Sequence, residues 1–294
     1  MQLKLNVPII TTPYAVRTDI IPDLEFVDRE LPNIPNFNFL TVAQWGPRKN
    51  VEATIKSFVE EFKDEEDVGL ILKVNIAKNN VHDKMATKFR LSEFLRSMGF
   101  SKEQRKCKVF LLHGHLNQRQ IRSLFVHPKI KALITTSHGE GFGLSQFESA
   151  FSGLPQASPA YSGMVDFLYR REKDPKSGKM KLKPQFKKID YDMKNVQPEA
   201  IWNGVIQPDA MWAFVKHNDV KDSMRELFKN YGPWKAKAKF LQEHVLQEFE
   251  AEKMYKHFVQ QIIDCLPALP IEPDQFKLDQ EIVEKNILND IIEV

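Results

Sequence analysis

The stretch Ser137-His-Gly-Glu-Gly-Phe-Gly-Leu144 determines how the rest of the chain is interpreted, because it joins two segments of different character. An apolar run at 132–136 precedes it, as expected of a buried strand, and a helical pattern at 145–152 follows it. Its alternate glycines permit tight turns and a close approach of a ligand to the backbone. Since a helix presents unpaired N–H groups at its start, the pattern predicts a strand, a phosphate-binding loop and a helix.

Two carboxylates accompany this loop. Glu140 lies within it, and Glu148 lies one to two turns into the following helix. Each carboxylate can accept hydrogen bonds from a pair of adjacent hydroxyls, as sugars offer. The alternative is an ordinary doubly wound domain in which both glutamates are solvated.

The spacing Glu140-Gly-Phe-Gly-Leu-x-x-x-Glu148, with Gly153-Leu-Pro155 behind it, resembles a known family signature. It is similar to the paired-glutamate (E-x7-E) motif of retaining, nucleotide-sugar-dependent glycosyltransferases with the GT-B fold, of the group 1 or family 4 type. The resemblance covers about 37–264 and is strongest over 39–166. It implies the donor-binding C-terminal half of such an enzyme, with the acceptor domain absent from this chain.

Composition indicates a globular protein. The chain has 294 residues, 42% of them hydrophobic, and a net charge of +3, which does not by itself indicate a polyanionic partner. Cys107 and Cys265 lack metal-type spacing, so we expect neither a disulfide framework nor a cysteine metal site. No run approaches the roughly twenty apolar residues that span a bilayer, and the first residues lack a signal-peptide core, so the expected location is cytoplasmic.

Outward from the loop, apolar runs alternate with helical patterns, which predicts an α/β fold. We expect a Rossmann-like doubly wound parallel sheet with a C-terminal helical extension. The predicted domains are a proline-rich, linker-like segment at 1–36, a nucleotide-sugar-binding domain at 37–265, and a tail with a short helix at 266–294.

Two helices are predicted with specific buried faces. A helix over Asp83 to Met98 is expected to bury Met85, Phe89, Leu95 and Met98. A long helix from Pro233 to about Cys265 is expected to bury one side, made up of Phe240, Leu241, Val245, Phe249, Phe258 and Ile262.

A basic insertion is expected at about 169–190. Between Arg170 and Lys188 it holds nine Lys or Arg residues against Glu172 and Asp174, and it is predicted to be a protruding hairpin or mobile loop. Docking to an anionic partner is one interpretation. A solvated insertion is favoured, and nucleic acid is not expected as a partner, because Phe186 is the one aromatic residue in this range available for base stacking.

The resemblance also implies roles for individual residues. Lys49 matches a lysine that meets the donor diphosphate, whereas the position of the family's arginine falls on the uncharged Gln44; Arg48 is a candidate substitute. The amides of the loop would add to these cations, and Glu140 would bind hydroxyls of the transferred sugar while Glu148 binds the ribose. The loop residues assigned to donor binding are Gly141, Phe142, Gly143 and Leu144.

The nucleobase would be held by Gly114, His115 and Leu116, which follow the third predicted strand. By resemblance the leaving phosphate itself assists the incoming hydroxyl, so neither a protein nucleophile nor a metal is implied, and the nucleotide sugar is a substrate rather than a cofactor. His113, His115 and His138 allow a metal hypothesis, but no cysteine or carboxylate completes a convincing ligand set.

The sequence therefore predicts a retaining glycosyltransferase whose donor site is in this chain. Its partners would be a nucleotide sugar and either a separate acceptor-domain chain or a second copy of this chain. Two alternatives stay open: a non-catalytic nucleotide-sugar-binding subunit, favoured by Gln44, and part of a sugar epimerase of the same fold.

Overall fold

The computed structural model describes residues 9–174 and 176–265. The chain divides into two compact units, of which the larger comprises 16–250. The smaller unit combines 1–15 with 251–294, and its described part contains one helix. Within the described ranges, no helix is both long enough and apolar enough to cross a lipid bilayer.

The strands and helices alternate along the larger unit. Its strands, in chain order, are β1 (Phe37–Gln44), β2 (Val68–Asn75), β3 (Lys108–Leu112), β4 (Ile130–Ile134), β5 (Gln156–Pro159), β6 (Tyr169–Lys173), β7 (Met180–Pro184), β8 (Lys187–Ile189), β9 (Tyr191–Asn195) and β10 (Met211–Val215). The helices are α1 (Phe26–Glu30), α2 (Val51–Phe62), α3 (Val81–Ser97), α4 (Gln118–Val126), α5 (Leu144–Phe151), α6 (His217–Lys229), α7 (Tyr231–Glu248) and, in the smaller unit, α8 (Ala251–Cys265).

Six strands form a parallel sheet in the order β3-β2-β1-β4-β5-β8. This order confirms the predicted doubly wound architecture, in which consecutive strands run outward from the centre in both directions. The order reverses between β1 and β4, which are neighbours in the sheet although helices and strands separate them in sequence. Ligands of such folds bind at this reversal, beyond the carboxyl ends of the strands.

Apolar clusters cover both faces of the sheet. One cluster includes Phe39, Phe58 and Phe62, and the other includes Leu40 and Leu133. Successive residues of β1 point to opposite faces, so Phe39 and Leu40 enter different clusters. Strands buried on both faces read as nearly continuous apolar runs, which is why β1, β2 and β4 are recognisable in the sequence.

The predicted buried face of α3 is right for Leu95, which is buried, and for Met98, which is partly buried against the same cluster, but it is wrong for the first half of the helix. Met85 and Phe89 are 66% and 69% exposed, whereas the buried positions are Asp83, Thr87, Leu91 and Leu95. The carboxylate of Asp83 accepts hydrogen bonds from the backbone N–H groups of Ile76, Ala77 and Asn79 at 2.9–3.1 Å. These bonds bring the Asp83 side of the helix towards the connection from β2, which leaves Met85 and Phe89 at the surface.

The segment expected to be a linker packs from Val16 onward into the larger unit, so this unit begins before the predicted boundary at residue 37. Val16 is buried and its N–H donates to the carbonyl of Phe249 at 2.8 Å. Phe26 and Val27 of α1 are buried in the cluster that contains Leu124 of α4.

The basic insertion contains a hairpin, as predicted, but it is shorter than expected. β6 and β7 pair antiparallel, with Tyr169 opposite Pro184. The last part of the predicted range is not an insertion, because Lys187 and Lys188 lie in β8, which pairs parallel with β5 at the edge of the main sheet. Phe186, counted with the insertion, is buried in a core cluster with Phe167.

The predicted long helix is interrupted. α7 ends at Glu248, and Phe249 leaves the helical conformation (φ −112°, ψ 26°). Its ring packs against Phe147 at a centroid distance of 5.3 Å, which anchors the end of α7 on α5. Phe240 is 37% exposed, and the residues expected to be buried in the second half, Phe258 and Ile262, are 48% and 44% exposed. The helix predicted after residue 265 lies outside the described residues.

Candidate functional site

The loops that follow β1 and β4 meet at the reversal of strand order and are joined by hydrogen bonds of the backbone and of two side chains. The N–H of His138 donates to the carbonyl of Arg48 at 2.9 Å, and the hydroxyl of Thr136 donates to the carbonyl of Asn50 at 2.7 Å. Asn50 precedes α2 in the left-handed conformation (φ 48°), and its amide bonds the Thr136 carbonyl at 3.3 Å. The 3-10 turn of Arg48 and Lys49 is thereby fixed against the glycine loop.

Arg48 and Lys49 both bind Glu140. Nη1 of Arg48 lies 2.9 Å from Oε2 of Glu140, and Nζ of Lys49 lies 2.5 Å from Oε1. The side chain of Glu140 is 9% exposed, whereas those of Lys49 and Arg48 are 22% and 43% exposed. Burial acts to raise the pKa of Glu140, but the two cations outweigh it and hold the pKa below its ordinary value. The cluster therefore carries a net positive charge that is partly accessible to a ligand.

The glycine loop approaches the next loop too closely for larger residues. A Cβ on Gly163 would lie 2.1 Å from the carbonyl oxygen of Gly141. The N–H of Glu140 donates to Oγ of Ser162 at 2.8 Å, and the N–H of Gly163 donates to the carbonyl of Glu140 at 3.1 Å. These contacts fix the backbone on either side of the Glu140 side chain.

The loop ends at a helix N-terminus, as the sequence predicts. Gly143 has a φ of 94°, which favours glycine, and it immediately precedes α5. The N–H of Phe147 closes the first turn on the carbonyl of Gly143. Gly141 and Leu144, with its 53% exposed side chain, lie at the surface of this helix end. The positive end of the helix dipole favours an anion here.

Glu148 occupies a different environment from that of Glu140. It lies on α5, and burial raises its pKa to about 7, although the nearby guanidinium of Arg122 acts in the opposite direction. Arg122 lies on α4, and its guanidinium carbon lies 4.8 Å from the ring centroid of Phe151 on α5. The two glutamates of the motif thus differ in their proton affinity, because only Glu140 has cations in direct contact.

The predicted nucleobase loop lies at the end of β3. Gly114 adopts a φ of 114° and has no atom within 4 Å of the position that a Cβ would occupy, so the backbone is open on that side. Its carbonyl accepts a hydrogen bond from Nζ of Lys73 at 2.8 Å. His115 and Leu116 follow it and precede α4, which begins with a capping box formed by Asn117 and Gln120.

Gln44 and the histidines have contacts of other kinds. Nε2 of Gln44 donates to the carbonyl of Ile76 at 3.0 Å, which directs this side chain towards the connection after β2. Nε2 of His113 lies 3.2 Å from Asp83, and Nδ1 of His138 lies 2.8 Å from the carbonyl of Ala213. Over residues 9–174 and 176–265, no three His, Cys, Asp or Glu side chains are grouped so that they could hold a metal ion.

Lys73, Arg122 and Ser162 were not identified from the sequence. Lys73 carried a signal, since it is a lone cation within the apolar strand Val68–Asn75. Arg122 and Ser162 have no comparable signal, because their proximity to Glu148 and Glu140 depends on packing between distant parts of the chain.

Comparisons with known proteins give structural matches. No protein-family model matches the sequence, and no curated protein shows significant similarity to it. Sucrose-phosphate synthase from Thermosynechococcus elongatus aligns with a TM-score of 0.57 and 14% identity over 86% of this chain and 51% of that one.

HepE of Anabaena, solved with UDP and glucose, aligns with a TM-score of 0.55 and 12% identity over 82% of this chain and 52% of that one. A glycosyltransferase from Rickettsia africae ESF-5 aligns with a TM-score of 0.54 and 12% identity over 84% and 52%. The chain spans about half the length of each. This chain has the Rossmann-like α/β fold that each of these structures contains over about half of its length.

Proposed function

We propose that this chain binds a nucleoside-diphosphate sugar and supplies the donor site of a retaining glycosyltransferase. The observation that carries the proposal is the convergence of Arg48 and Lys49 on Glu140 beside the N-terminus of α5. The arrangement lies where doubly wound folds bind ligands. The similarity to HepE, solved in complex with UDP and glucose, agrees with this assignment.

Sugar transfer requires that the departing diphosphate be stabilised as its negative charge grows. Lys49 and Arg48 would supply cations, and the amides of Phe142, Gly143 and Leu144 would add oriented dipoles. Before the phosphate arrives, both cations are paired with Glu140. Binding of the diphosphate would draw the cations towards it and leave the Glu140 carboxylate available to sugar hydroxyls.

The two remaining parts of the donor have separate sites in this proposal. Glu148, once ionised, accepts hydrogen bonds from the ribose hydroxyls, and the backbone of Gly114 to Leu116 contacts the base. Gln44 lies at the position where the family resemblance implies an arginine, and its amide is bonded to Ile76. Arg48 therefore takes the place of that arginine beside Lys49.

The acceptor would be bound by a second domain, whether on the same polypeptide, on another chain or on a second copy. This chain spans about half the length of the glycosyltransferases that it resembles. Without a second domain, the donor cleft neither excludes water nor orients the attacking hydroxyl. We therefore expect the chain alone to bind its donor and to transfer the sugar poorly.

The test uses a panel of radiolabelled UDP-, GDP- and ADP-sugars. Equilibrium binding and slow release of free sugar are expected from one or more of them. With an added simple alcohol as acceptor, NMR of the glycoside formed, which cannot mutarotate, should show that the anomeric configuration is retained. The Lys49→Ala variant should lose both properties, whereas Lys78→Ala, at an exposed lysine, should keep them. Absence of binding to every donor, or an inverted product, would contradict the proposal.

A non-catalytic nucleotide-sugar-binding subunit is the second candidate, because Gln44 provides no charge at the expected arginine position. A non-catalytic subunit would bind the donor as tightly as a catalytic one. It would neither release nor transfer the sugar, even after addition of an acceptor domain.

A further inference from the structure

Lys73 is a buried cation that has no counter-ion among the residues that the structure describes. The residue is 7% exposed and lies near the carboxyl end of β2, opposite Leu112 of β3. Within the described residues, its ammonium bonds the carbonyl of Gly114, and no carboxylate lies within 4.0 Å of it. A buried charge is costly unless it is paired, and a single neutral carbonyl is weak compensation.

The direction of the side chain takes the ammonium to the candidate site. Alternation along β2 puts Lys73 on the same face as Ile71, which packs in the cluster that contains Leu112 and Leu124. From these apolar surroundings Nζ of Lys73 reaches the carbonyl of Gly114, just after the end of β3. The backbone of Gly114 has no neighbouring atoms on the side where a Cβ would lie. An ammonium has three donors, so two remain for other acceptors after the bond to Gly114.

We propose that Lys73 is a ligand-binding residue whose ammonium contacts an oxygen of the bound nucleoside diphosphate, either a phosphate oxygen or a carbonyl oxygen of the base. The inference rests on the proposed function, because it takes the nucleotide as the ligand of this site. It adds a third cation to Arg48 and Lys49, supplied by the strand next to β1. Burial lowers the pKa of Lys73, as expected for a cation that lacks a partner before the ligand binds.

A merely structural Lys73 would hold the Gly114 loop and never touch the ligand. The test therefore measures the affinities of wild type and Lys73→Met for UDP, uridine, ADP and adenosine. Lys73→Arg retains the charge, and Lys78→Met is the matched control, being the same substitution at an exposed lysine on the connection after β2. Thermal unfolding of each variant verifies that it is folded.

We expect Lys73→Met to bind UDP about 10- to 100-fold more weakly, the effect typical of one charge-assisted hydrogen bond, and Lys73→Arg to recover part of the loss. If the contact is with phosphate, the affinity for UDP falls and that for uridine does not. If it is with the base, uridine is weakened more than adenosine, since adenine has no carbonyl.

Two results would overturn the inference. One is unchanged affinity in folded Lys73→Met. The other is an equal loss for all four ligands, which would indicate that the lysine acts through the loop alone. If wild type binds none of the four, the same comparison is made with GDP, CDP and dTDP and their nucleosides. Failure to bind any of these diphosphates as well would remove the proposed function, and is thus distinguishable from a failure of the Lys73 proposal.

If Lys73→Met does not fold, wild type labelled with 15N at the lysine side chains provides the measurement. The Nζ resonance assigned with Lys73→Arg should shift on addition of UDP. An unchanged resonance at saturating UDP would contradict the contact.

Discussion

Replacement of Glu148 by glutamine is expected to stabilise the ligand-free protein at pH 8 and to change its stability little at pH 4.5. Burial raises the pKa of Glu148 to about 7 in the folded chain, from an ordinary value of 4.5. Between these two values the folded protein retains a proton that the unfolded chain has released. Its stability therefore falls as the pH rises through this window, and the loss is complete above pH 7. The difference in pKa corresponds to a free energy of about 3 kcal/mol.

Glutamine has nearly the shape of the protonated glutamate but cannot ionise, so Glu148→Gln should escape this loss. Urea unfolding at a series of pH values measures it: the stability difference between variant and wild type should grow from near zero at pH 4.5 to about 3 kcal/mol at pH 8. Glu243→Gln, at an exposed position of α7, is the control and should show no such trend. A difference independent of pH, or a less stable Glu148→Gln at pH 8, would show that Glu148 does not titrate with a raised pKa in the folded chain.

Three further predictions concern the site and the core. Lys49→Ala should weaken nucleoside diphosphate binding at least about tenfold in calorimetry and leave nucleoside binding nearly unchanged; an equal loss for both would indicate unfolding. Gly163→Ala should disrupt the Glu140 loop, since its Cβ would meet the carbonyl oxygen of Gly141, and should abolish diphosphate binding in a chain whose circular dichroism spectrum stays folded. Leu91→Ala should cost about 2 to 5 kcal/mol of unfolding free energy, whereas Phe89→Ala, at an exposed position of the same helix, should change stability by less than about 1 kcal/mol; similar effects would mean that α3 is oriented otherwise.

The sheet and the glycine loop were predictable because their signals are local. Buried strands such as β1 and β4 are apolar runs, and the glycines between β4 and α5 mark a loop whatever the rest of the chain does. The packing of α3 was not predictable, because Met85 and Phe89 at helical spacing imitate a buried stripe. Only the bonds of Asp83 to the preceding connection show which face is turned inward.

In the candidate site, too, the local features were predictable from the sequence and the tertiary contacts were not. Glu140 and Lys49 were expected to serve one ligand, but their direct contact at 2.5 Å required the bonds that join the loops after β1 and β4. Lys73 and Ser162 reach the site through tertiary packing, and no spacing in the sequence connects them with Glu140 or Gly114. The break after α7 likewise depends on the packing of Phe249 against Phe147.

The most direct measurement of the central claim is a calorimetric titration of the purified wild-type chain with UDP, GDP, ADP, CDP and dTDP. We expect saturable binding of one or more of them at one site per chain, with affinity that decreases as salt is added because cations contact the diphosphate. The absence of binding by all five to a folded chain at millimolar concentration would contradict it.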